Sequence, residues 1–392
     1  MKLIKYTAVA SLLTGVASAQ GLFDVNSTET EGESSPLRYT AGVAFGYDDN
    51  VSPTSAEPES DSTYIRGNVG ASLVVRGAQT SWDASAGVGV THYLDDIEGG
   101  DDTTYNANLA FNINHRVNDR TRLVSRNFFN YGLDLGNFYG SVGSRQVDEY
   151  IYFSTDNAIG YRWTDRLATY TGFAFSTLDY DDGSVSDVDS YSVYNQFRYT
   201  LSDQTILTAT GRYTYSDYSS GDSDRFTASV GFEHRLSDSS TVALQVGGQF
   251  GDNSSAYANL SYTAQINNQL KVRTFARYGQ EDTDTVFLDS SGDPDRYEDK
   301  TTLRIGAAAD YTLSPQITLT AGGTYTASDY SDAERSDDGT WDLYSLYVGA
   351  TYKVNEALSV TGSANYTNSS SGVIPNRDYT RRRYEVGVNY AF

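Results

Sequence analysis

The last nine residues, from Tyr384 to Phe392, alternate strictly between two kinds of side chain. Aromatic and branched residues occupy one face of an extended segment, and small or polar residues occupy the other, which is the period of two of a β-strand. Chain ends normally fray unless something holds them. An end on the large aromatic Phe392 therefore indicates a strand that is paired up to its last residue.

From Leu37 onward the chain repeats one pattern: an alternating segment, a tight turn, a second alternating segment and a longer acidic loop. Turn-forming residues flanked by apolar side chains mark the tight turns and recur at hairpin spacing. The turns contain Gly77, Asn118, Thr164, Ser202, Ser237, Asn267, Ser314 and Asn355.

This pattern predicts about eighteen strands, an even number of the kind that single-chain transmembrane β-barrels have. Each segment runs about 10 to 15 residues, long enough to cross a bilayer at a tilt of about 40°. The segment from Arg122 to Tyr131 alternates poorly, which leaves about sixteen as the other count. The strands begin near Leu37, Tyr64, Ser81, Tyr105, Arg122, Glu149, Leu167, Tyr191, Ile206, Arg225, Thr241, Ala256, Leu270, Thr301, Ile317, Tyr344, Leu358 and Thr380.

Aromatic residues cluster at both ends of the predicted strands, as amphipathic rings do at the two headgroup layers of a membrane. A soluble β-sandwich would explain the alternation, but neither the two belts nor the acidic loops on one side. We predict an all-β fold over residues 37–392: a transmembrane antiparallel up-and-down β-barrel closed by the aromatic C-terminal strand. The belts comprise Tyr161, Trp163, Tyr199, Phe232, Tyr311, Tyr352 and Phe392 near the turns, and Phe45, Tyr47, Tyr213, Tyr215, Tyr325 and Tyr366 near the loops.

The N-terminus and the composition further restrict the class of protein to which the chain can belong. Residues 1–19 combine two lysines, an apolar core and the ending Ala17-Ser18-Ala19, typical of a cleaved secretory signal. Residues 20–36 are polar and acidic, which predicts a short disordered periplasmic lead-in. The absence of cysteine excludes disulfides and thiolate metal sites. A net charge of -23 disfavours binding to nucleic acid.

Arginine is frequent at the positions predicted to face the barrel lumen. Rings of arginine favour anions, which predicts a channel lining for anionic or sugar-like solutes. The alternative is that the same arginines pair with the lumen acids Asp83, Asp156, Glu233, Asp310 and Glu385 and only hydrate the wall. The predicted lining consists of Arg38, Arg66, Arg162, Arg198, Arg212, Arg273, Arg277, Arg304, Arg381 and Arg383.

The loops are acidic, and the third, from Leu133 to Asp148, is long and less charged. Its residues Asn137, Phe138 and Tyr139 are candidates for a constriction that folds into the lumen. The acidic loops could bind divalent cations or lipopolysaccharide, although no spacing matches a calcium loop. Solvated charge is the alternative interpretation.

The histidines argue against an enzyme. His92, His115 and His234 are the only ones, and all three fall in the predicted outward phase near strand ends. No Ser-His or Asp-His pair can therefore form at the mouth of the barrel. We expect no catalytic activity, no cofactor and no metal site.

Two stretches resemble known families. The closing strand is similar to that of bacterial outer-membrane barrels, and this likeness implies that Tyr390 and Phe392 form a signal for the barrel assembly machinery. The segment from Tyr39 to Val51 is a glycine-rich strand that ends in Tyr47-Asp48-Asp49-Asn50. It resembles the opening of the putative beta-barrel porins found beside exopolysaccharide loci, and this likeness implies passage or export of saccharide across the outer membrane.

Two functions follow as hypotheses. The first is a bacterial outer-membrane porin that passes small hydrophilic solutes, anionic or saccharide, or serves polysaccharide export. The second is a structural or adhesive surface barrel that acts through its acidic extracellular loops. The expected partners are outer-membrane lipid, lipopolysaccharide, the assembly machinery and the solute; an oligomer is left open.

Overall fold

A computed structural model describes the chain from Ser35 to its last residue, apart from several loop segments. The described ranges are 35–51, 61–95, 102–132, 149–180, 187–218, 221–251, 254–281, 286–288, 294–296, 299–331, 339–372 and 378–392. The signal-peptide prediction, most of the lead-in and the candidate constriction Asn137, Phe138 and Tyr139 lie outside these ranges.

All regular structure in the described residues is β-strand. No helix there is long and apolar enough to cross a membrane. The strands are β1 (Ser35–Asp48), β2 (Ser62–Arg76), β3 (Thr80–Tyr93), β4 (Thr103–Arg116), β5 (Thr121–Gly132), β6 (Tyr150–Arg162), β7 (Leu167–Tyr180), β8 (Val188–Ser202), β9 (Thr205–Tyr218), β10 (Gly221–Ser237), β11 (Ser240–Gly251), β12 (Ser254–Gln265), β13 (Leu270–Glu281), β14 (Val286–Leu288), β15 (Pro294–Arg296), β16 (Asp299–Thr312), β17 (Ile317–Ser331), β18 (Gly339–Lys353), β19 (Leu358–Ser371) and β20 (Tyr379–Ala391).

Eighteen of these strands form one closed antiparallel sheet, and β14 and β15 form a small separate hairpin in the loop after β13. Each barrel strand pairs with the next along the chain, and β1 pairs with β20 to close the circle. The predicted fold class and the count of eighteen are confirmed. The observed strands begin within a few residues of the predicted positions, β1 at Ser35 rather than Leu37.

The alternation in the sequence becomes an alternation between the two faces of the wall. On β20, Tyr384, Val386 and Val388 are 50%, 62% and 46% exposed, whereas Gly387 between them and Arg381 earlier on the strand are buried. The outward row is the apolar one, the reverse of a soluble protein. Such a surface suits the hydrocarbon layer of a membrane, which solvates apolar side chains. The polar row then lines the interior of the barrel.

Both aromatic belts lie on the outward face. At the end with the short turns, Tyr39 stacks on Phe392 with ring centroids 5.7 Å apart, and Tyr161 meets Trp163 at 4.7 Å. At the opposite end, which carries the longer loops, Tyr325 stacks on Tyr344 at 4.7 Å. We call these the turn end and the loop end. Rings at both ends of the apolar band confirm the predicted girdles.

The seam between β1 and β20 joins the two ends of the chain, so no turn connects its strands. Asp48 is fully buried there, and its carboxylate accepts hydrogen bonds from Arg381 Nε at 2.9 and 3.0 Å and from Nη2 at 2.5 Å. Arg383 Nε lies 3.2 Å from the same carboxylate. Charge-assisted bonds of this geometry are the strong ones in proteins. We call Asp48, Arg381 and Arg383 the seam clasp.

The next two residues extend this contact. Asp49 accepts a bond from Arg382 Nη1 at 3.1 Å on the outward side, and Asn50 Nδ2 donates to the carbonyl oxygen of Thr380 at 3.0 Å. Asn50 is 1% exposed. The Tyr-Asp-x-Asn motif that ends the first strand therefore binds the start of the last strand.

The wall orientation predicts opposite effects for neighbouring substitutions. Val388→Arg places a charge on the outward face and should lower the free energy of unfolding in lipid by about 2 kcal/mol. Asn389→Arg places the same charge in the lumen and should leave it near that of the parent. Urea titration of vesicle-reconstituted protein, followed by the gel mobility of unheated barrels, measures both. Equal midpoints for the two variants would contradict the assigned faces.

The seam clasp predicts a large effect at one carboxylate. Asp48→Asn leaves two guanidinium groups without a carboxylate in a buried site, which should cost about 3 kcal/mol. Asp49→Asn is the matched control, because the exposed pair with Arg382 contributes at most about 1 kcal/mol. The same urea titration compares them. An Asp48→Asn barrel as stable as the Asp49→Asn barrel would show that the clasp does not hold the seam.

Candidate channel lining

The lumen of this barrel is the candidate site, because a wall of eighteen strands encloses more space than its own side chains fill. Strand register and alternation place all ten predicted arginines on the inward face. Their inward neighbours are mainly serine, threonine, asparagine, glutamine and tyrosine. The lining is therefore polar over its full height.

Six of the ten predicted arginines form ion pairs with carboxylates of the described strands. The bidentate pair Arg198–Glu233 has bonds of 2.7 and 2.6 Å, and the Arg198 side chain is fully buried. Pairs of this kind hold the wall together and neutralise their own charge. The others are Arg66–Glu385 at 2.6 Å, Arg273–Asp310 at 3.2 Å, Arg304–Glu281 at 2.6 Å, and Arg381 and Arg383 with Asp48.

One further predicted arginine makes a different contact. The guanidinium carbon of Arg212 lies 4.5 Å from the ring centroid of Tyr194, a cation–π distance. The Tyr194 hydroxyl in turn donates to Asp156 at 2.7 Å. A cation, an aromatic face and a carboxylate thus meet on the inward side of β6, β8 and β9. Arg38 and Arg162 also face inward, both toward the turn end.

Arg277 is the exception among the predicted set. Its side chain is exposed to the lumen, and in the described part of the chain no carboxylate lies within ion-pair distance of it. Across the sheet it faces Asn259 on β12 and Arg304 on β16. Because Glu281 already binds Arg304, the charge of Arg277 is left exposed in the lumen.

The structure adds lining residues that the sequence pattern did not identify. Arg122 and Arg126 on β5 face inward, with Arg126 opposite Asp156. They were missed because polar residues on the other face of β5 obscure its alternation. The acids Asp48 and Glu281 were missed because both lie at strand ends, where the phase cannot be read from a single strand.

The three histidines lie on the outward face, as expected. Each one hydrogen-bonds through Nδ1 to a threonine on the neighbouring strand: His92 with Thr103 at 2.9 Å, His115 with Thr80 at 2.7 Å and His234 with Thr205 at 2.9 Å.

Tyr390 and Phe392, which we predict to form the assembly signal, lie at the turn end of the seam. Tyr390 and Phe392 are 49% and 66% exposed on the outward face. Phe392 exchanges two backbone hydrogen bonds of 2.9 Å with Tyr39, which pairs the chain to its last residue. Their recognition by an assembly machinery stays a prediction.

Comparison with known proteins gives one sequence match. Residues 301–392 match the family model described as "Putative beta-barrel porin 2". This match, which covers β16 to β20 apart from two residues at the start of β16, confirms the resemblance to beta-barrel porins for the C-terminal part of the chain. No curated protein matches the sequence.

Solved structures show a likeness of overall shape. OccK1 (OpdK) from Pseudomonas aeruginosa is 11% identical with a TM-score of 0.46, covering 91% of this chain and 99% of its own. OccAB4 from Acinetobacter baumannii is 11% identical with a TM-score of 0.45, covering 92% and 99%. The siderophore receptor PirA from Pseudomonas aeruginosa is 10% identical with a TM-score of 0.45, covering 92% and 81%. The family match and the barrel geometry together define a porin-like outer-membrane barrel.

The inward phase predicts which side chains water can reach. The chain has no cysteine, so a single introduced thiol reports on one position. Arg277→Cys should react rapidly with a charged, membrane-impermeant thiol reagent, because thiolates form only where water enters. Ala276→Cys, one residue away on the outward face, should react far more slowly in lipid vesicles. Equal rates would contradict the position of Arg277 in an open, hydrated lumen.

Proposed function

We propose that the protein is an outer-membrane channel for small hydrophilic solutes with a preference for anions. The observation that carries this proposal is the closed eighteen-stranded wall with a polar inner face that holds Arg277 without an acidic partner among the described residues. Six of the ten predicted arginines lie in ion pairs with carboxylates, so the wall as a whole is not a strong anion trap. A mild preference follows, since solutes must leave the lumen as readily as they enter.

A saccharide is the second solute class that the lining supports. Tyr152, Tyr170 and Tyr194 project inward from three adjacent strands beside Arg212 and Asp156. Aromatic faces next to hydrogen-bonding groups suit the apolar and hydroxyl faces of a sugar ring. The resemblance of the segment from Tyr39 to Val51 to porins found beside exopolysaccharide loci implies the same solute class.

The proposal extends to the setting of the barrel. The residues at 1–19 act as a cleaved export signal, Tyr390 and Phe392 serve the assembly machinery, and the acidic loops face lipopolysaccharide. No catalytic step and no cofactor form part of the mechanism: solutes diffuse through a hydrated, charged wall.

Single-channel recording of the refolded full-length protein in a planar bilayer tests the proposal. We expect stepwise conductance increments that grow with salt concentration. A folded, inserted barrel without conductance would refute the channel, and would favour the structural or adhesive surface barrel that acts through its loops.

The selectivity should depend on the inward arginines that lie outside the ion pairs of the described strands, among them Arg277 and Arg126, which faces Asp156 in register but forms no ion pair with it. Replacing Arg126 and Arg277 with glutamine should lower the anion-to-cation permeability ratio, whereas lysine at both positions should preserve it. The double variant Arg273→Gln with Asp310→Asn is the control, because it removes an ion pair without changing net charge. Reversal potentials across a salt gradient measure all of these. The anion preference should weaken near 1 M salt, where the Debye screening length falls to about 3 Å. Cation preference in the parent protein would contradict the basic lining.

A further inference from the structure

The outer wall of the barrel carries one polar area at the height where it should be apolar. It consists of Ser125, Asn127, Thr155, Asn157, Thr171 and Asn195, on four neighbouring strands from β5 to β8. We call these six residues the wall patch.

Strand register places the wall patch on the outward face. Ser125 lies opposite Asn157 and Asn127 opposite Thr155, and Thr171 lies opposite Asn195. On the same face of the same strands, Ile159, Val193 and Phe197 are 55%, 54% and 53% exposed. The patch is thus surrounded by the apolar outer surface and does not belong to the lumen.

The patch lies near the middle of the membrane. Asn157 and Thr155 are four and six residues from Tyr161, which belongs to the aromatic belt at the turn end. At about 3.3 Å per residue and a tilt of about 40°, they lie roughly 10 to 15 Å above that belt. The apolar band of such barrels is about 25 Å tall.

Four members of the wall patch form a closed ring of hydrogen bonds. In order, Ser125 Oγ donates to Asn157 Oδ1 at 2.7 Å, Asn157 Nδ2 to Thr155 Oγ1 at 2.7 Å, Thr155 Oγ1 to Asn127 Oδ1 at 2.8 Å, and Asn127 Nδ2 to Ser125 Oγ at 3.0 Å. Asn127 Nδ2 also donates to the carbonyl oxygen of Phe111 at 3.2 Å.

Some polar groups of the wall patch have no hydrogen-bond partner among the described residues. An amide carries two N–H donors, and in the described residues Asn157 uses one of them. Asn195 Nδ2 likewise donates one of its hydrogens, to Thr171 Oγ1 at 2.6 Å, and Asn195 Oδ1 is buried in the wall without a hydrogen-bond partner there. Acyl chains cannot bond the second N–H of either amide, and an unpaired polar group in hydrocarbon costs several kcal/mol.

The rest of the described wall does not share this feature. At the centres of the other fourteen barrel strands, the outward positions are apolar or glycine, with the single threonine Thr274 on β13 as the exception. Representative centres are Val43, Val69, Val88, Val230, Val246, Leu260, Ile305, Val348 and Val386. The wall patch is therefore a local property of β5 to β8.

We propose that the wall patch is the contact surface for a second copy of this chain in the membrane. A second barrel inserted in the same direction presents the same amides at the same depth. Asparagine is self-complementary, since each side chain both donates and accepts. Polar contacts and close packing, rather than the hydrophobic effect, drive association between surfaces in lipid.

The symmetry of the proposed dimer follows from the presence of one wall patch on the described outer wall. A ring built from head-to-tail contacts needs two different complementary surfaces, whereas a two-fold pair uses one surface twice. The described wall offers one polar surface at this depth. The axis runs along the bilayer normal, which brings β5 to β8 of one barrel against β5 to β8 of the other.

Fluorescence energy transfer between separately labelled full-length barrels in vesicles tests the proposal. We expect transfer to rise with the protein-to-lipid ratio and to fall when unlabelled parent is added. The triple variant Asn157→Leu, Thr171→Val and Asn195→Leu should weaken association at least about tenfold. Thr274→Val, on the far wall, should leave it unchanged. Should the triple variant fail to refold, Asn195→Leu alone is compared with the parent.

Cysteine crosslinking locates the contact. Because the chain has no cysteine, Thr171→Cys should crosslink to the same position of a second copy, and Thr274→Cys should not. Native mass spectrometry of protein released from nanodiscs identifies the occupant. A monomer at all protein-to-lipid ratios, a bound lipid or foreign protein in place of a second copy, undiminished association of the leucine variants, or crosslinking through position 274 would each overturn the proposal.

Discussion

Closure of the sheet between β1 and β20 is the constraint on which the rest of the structure depends. An open sheet would leave two rows of unpaired backbone groups in hydrocarbon, where each costs several kcal/mol. A slip of one residue at the seam would turn every side chain of a strand to the wrong face. The seam is fixed at both ends: by the backbone bonds between Tyr39 and Phe392 at the turn end, and by Asp48 with Arg381 and Arg383 at the loop end.

The lumen shows how a polar wall can hold many arginines without becoming a strong anion trap. Arg66, Arg198 and Arg304 each lie 2.6 Å from a carboxylate, and these carboxylates come from other strands. These ion pairs therefore stabilise the wall, and the charge of the paired arginines is largely unavailable to a solute. The electrostatic character of the lumen rests on the charges outside these ion pairs, of which Arg277 is the clearest in the described lining. Structural pairing thus accounts for six members of the predicted set, and anion selection stays a prediction.

The outer wall of β5 to β8 explains a difficulty in the sequence. The segment from Arg122 to Tyr131 alternates poorly because Ser125 and Asn127 are polar on the outward face, while Val124 and Phe128 are apolar on the inward face. In a single strand, this pattern contradicts the alternation expected of a transmembrane β-strand. Only the neighbouring Thr155 and Asn157 show that it belongs to a hydrogen-bonded patch shared between strands.

The sequence by itself determined the fold class, a count of sixteen to eighteen strands, the inward phase of the arginines and the two aromatic belts, because each depends on the period of two along one strand and on turns between neighbours. It did not determine which arginine is neutralised, that Asp48 closes the barrel, or that the polar residues of β5 and β6 meet. Those facts depend on register between strands, and Asp48 and Arg381 are brought together only when the first and last strands pair. Partners so distant in the chain leave no local pattern, so only the tertiary structure could decide them.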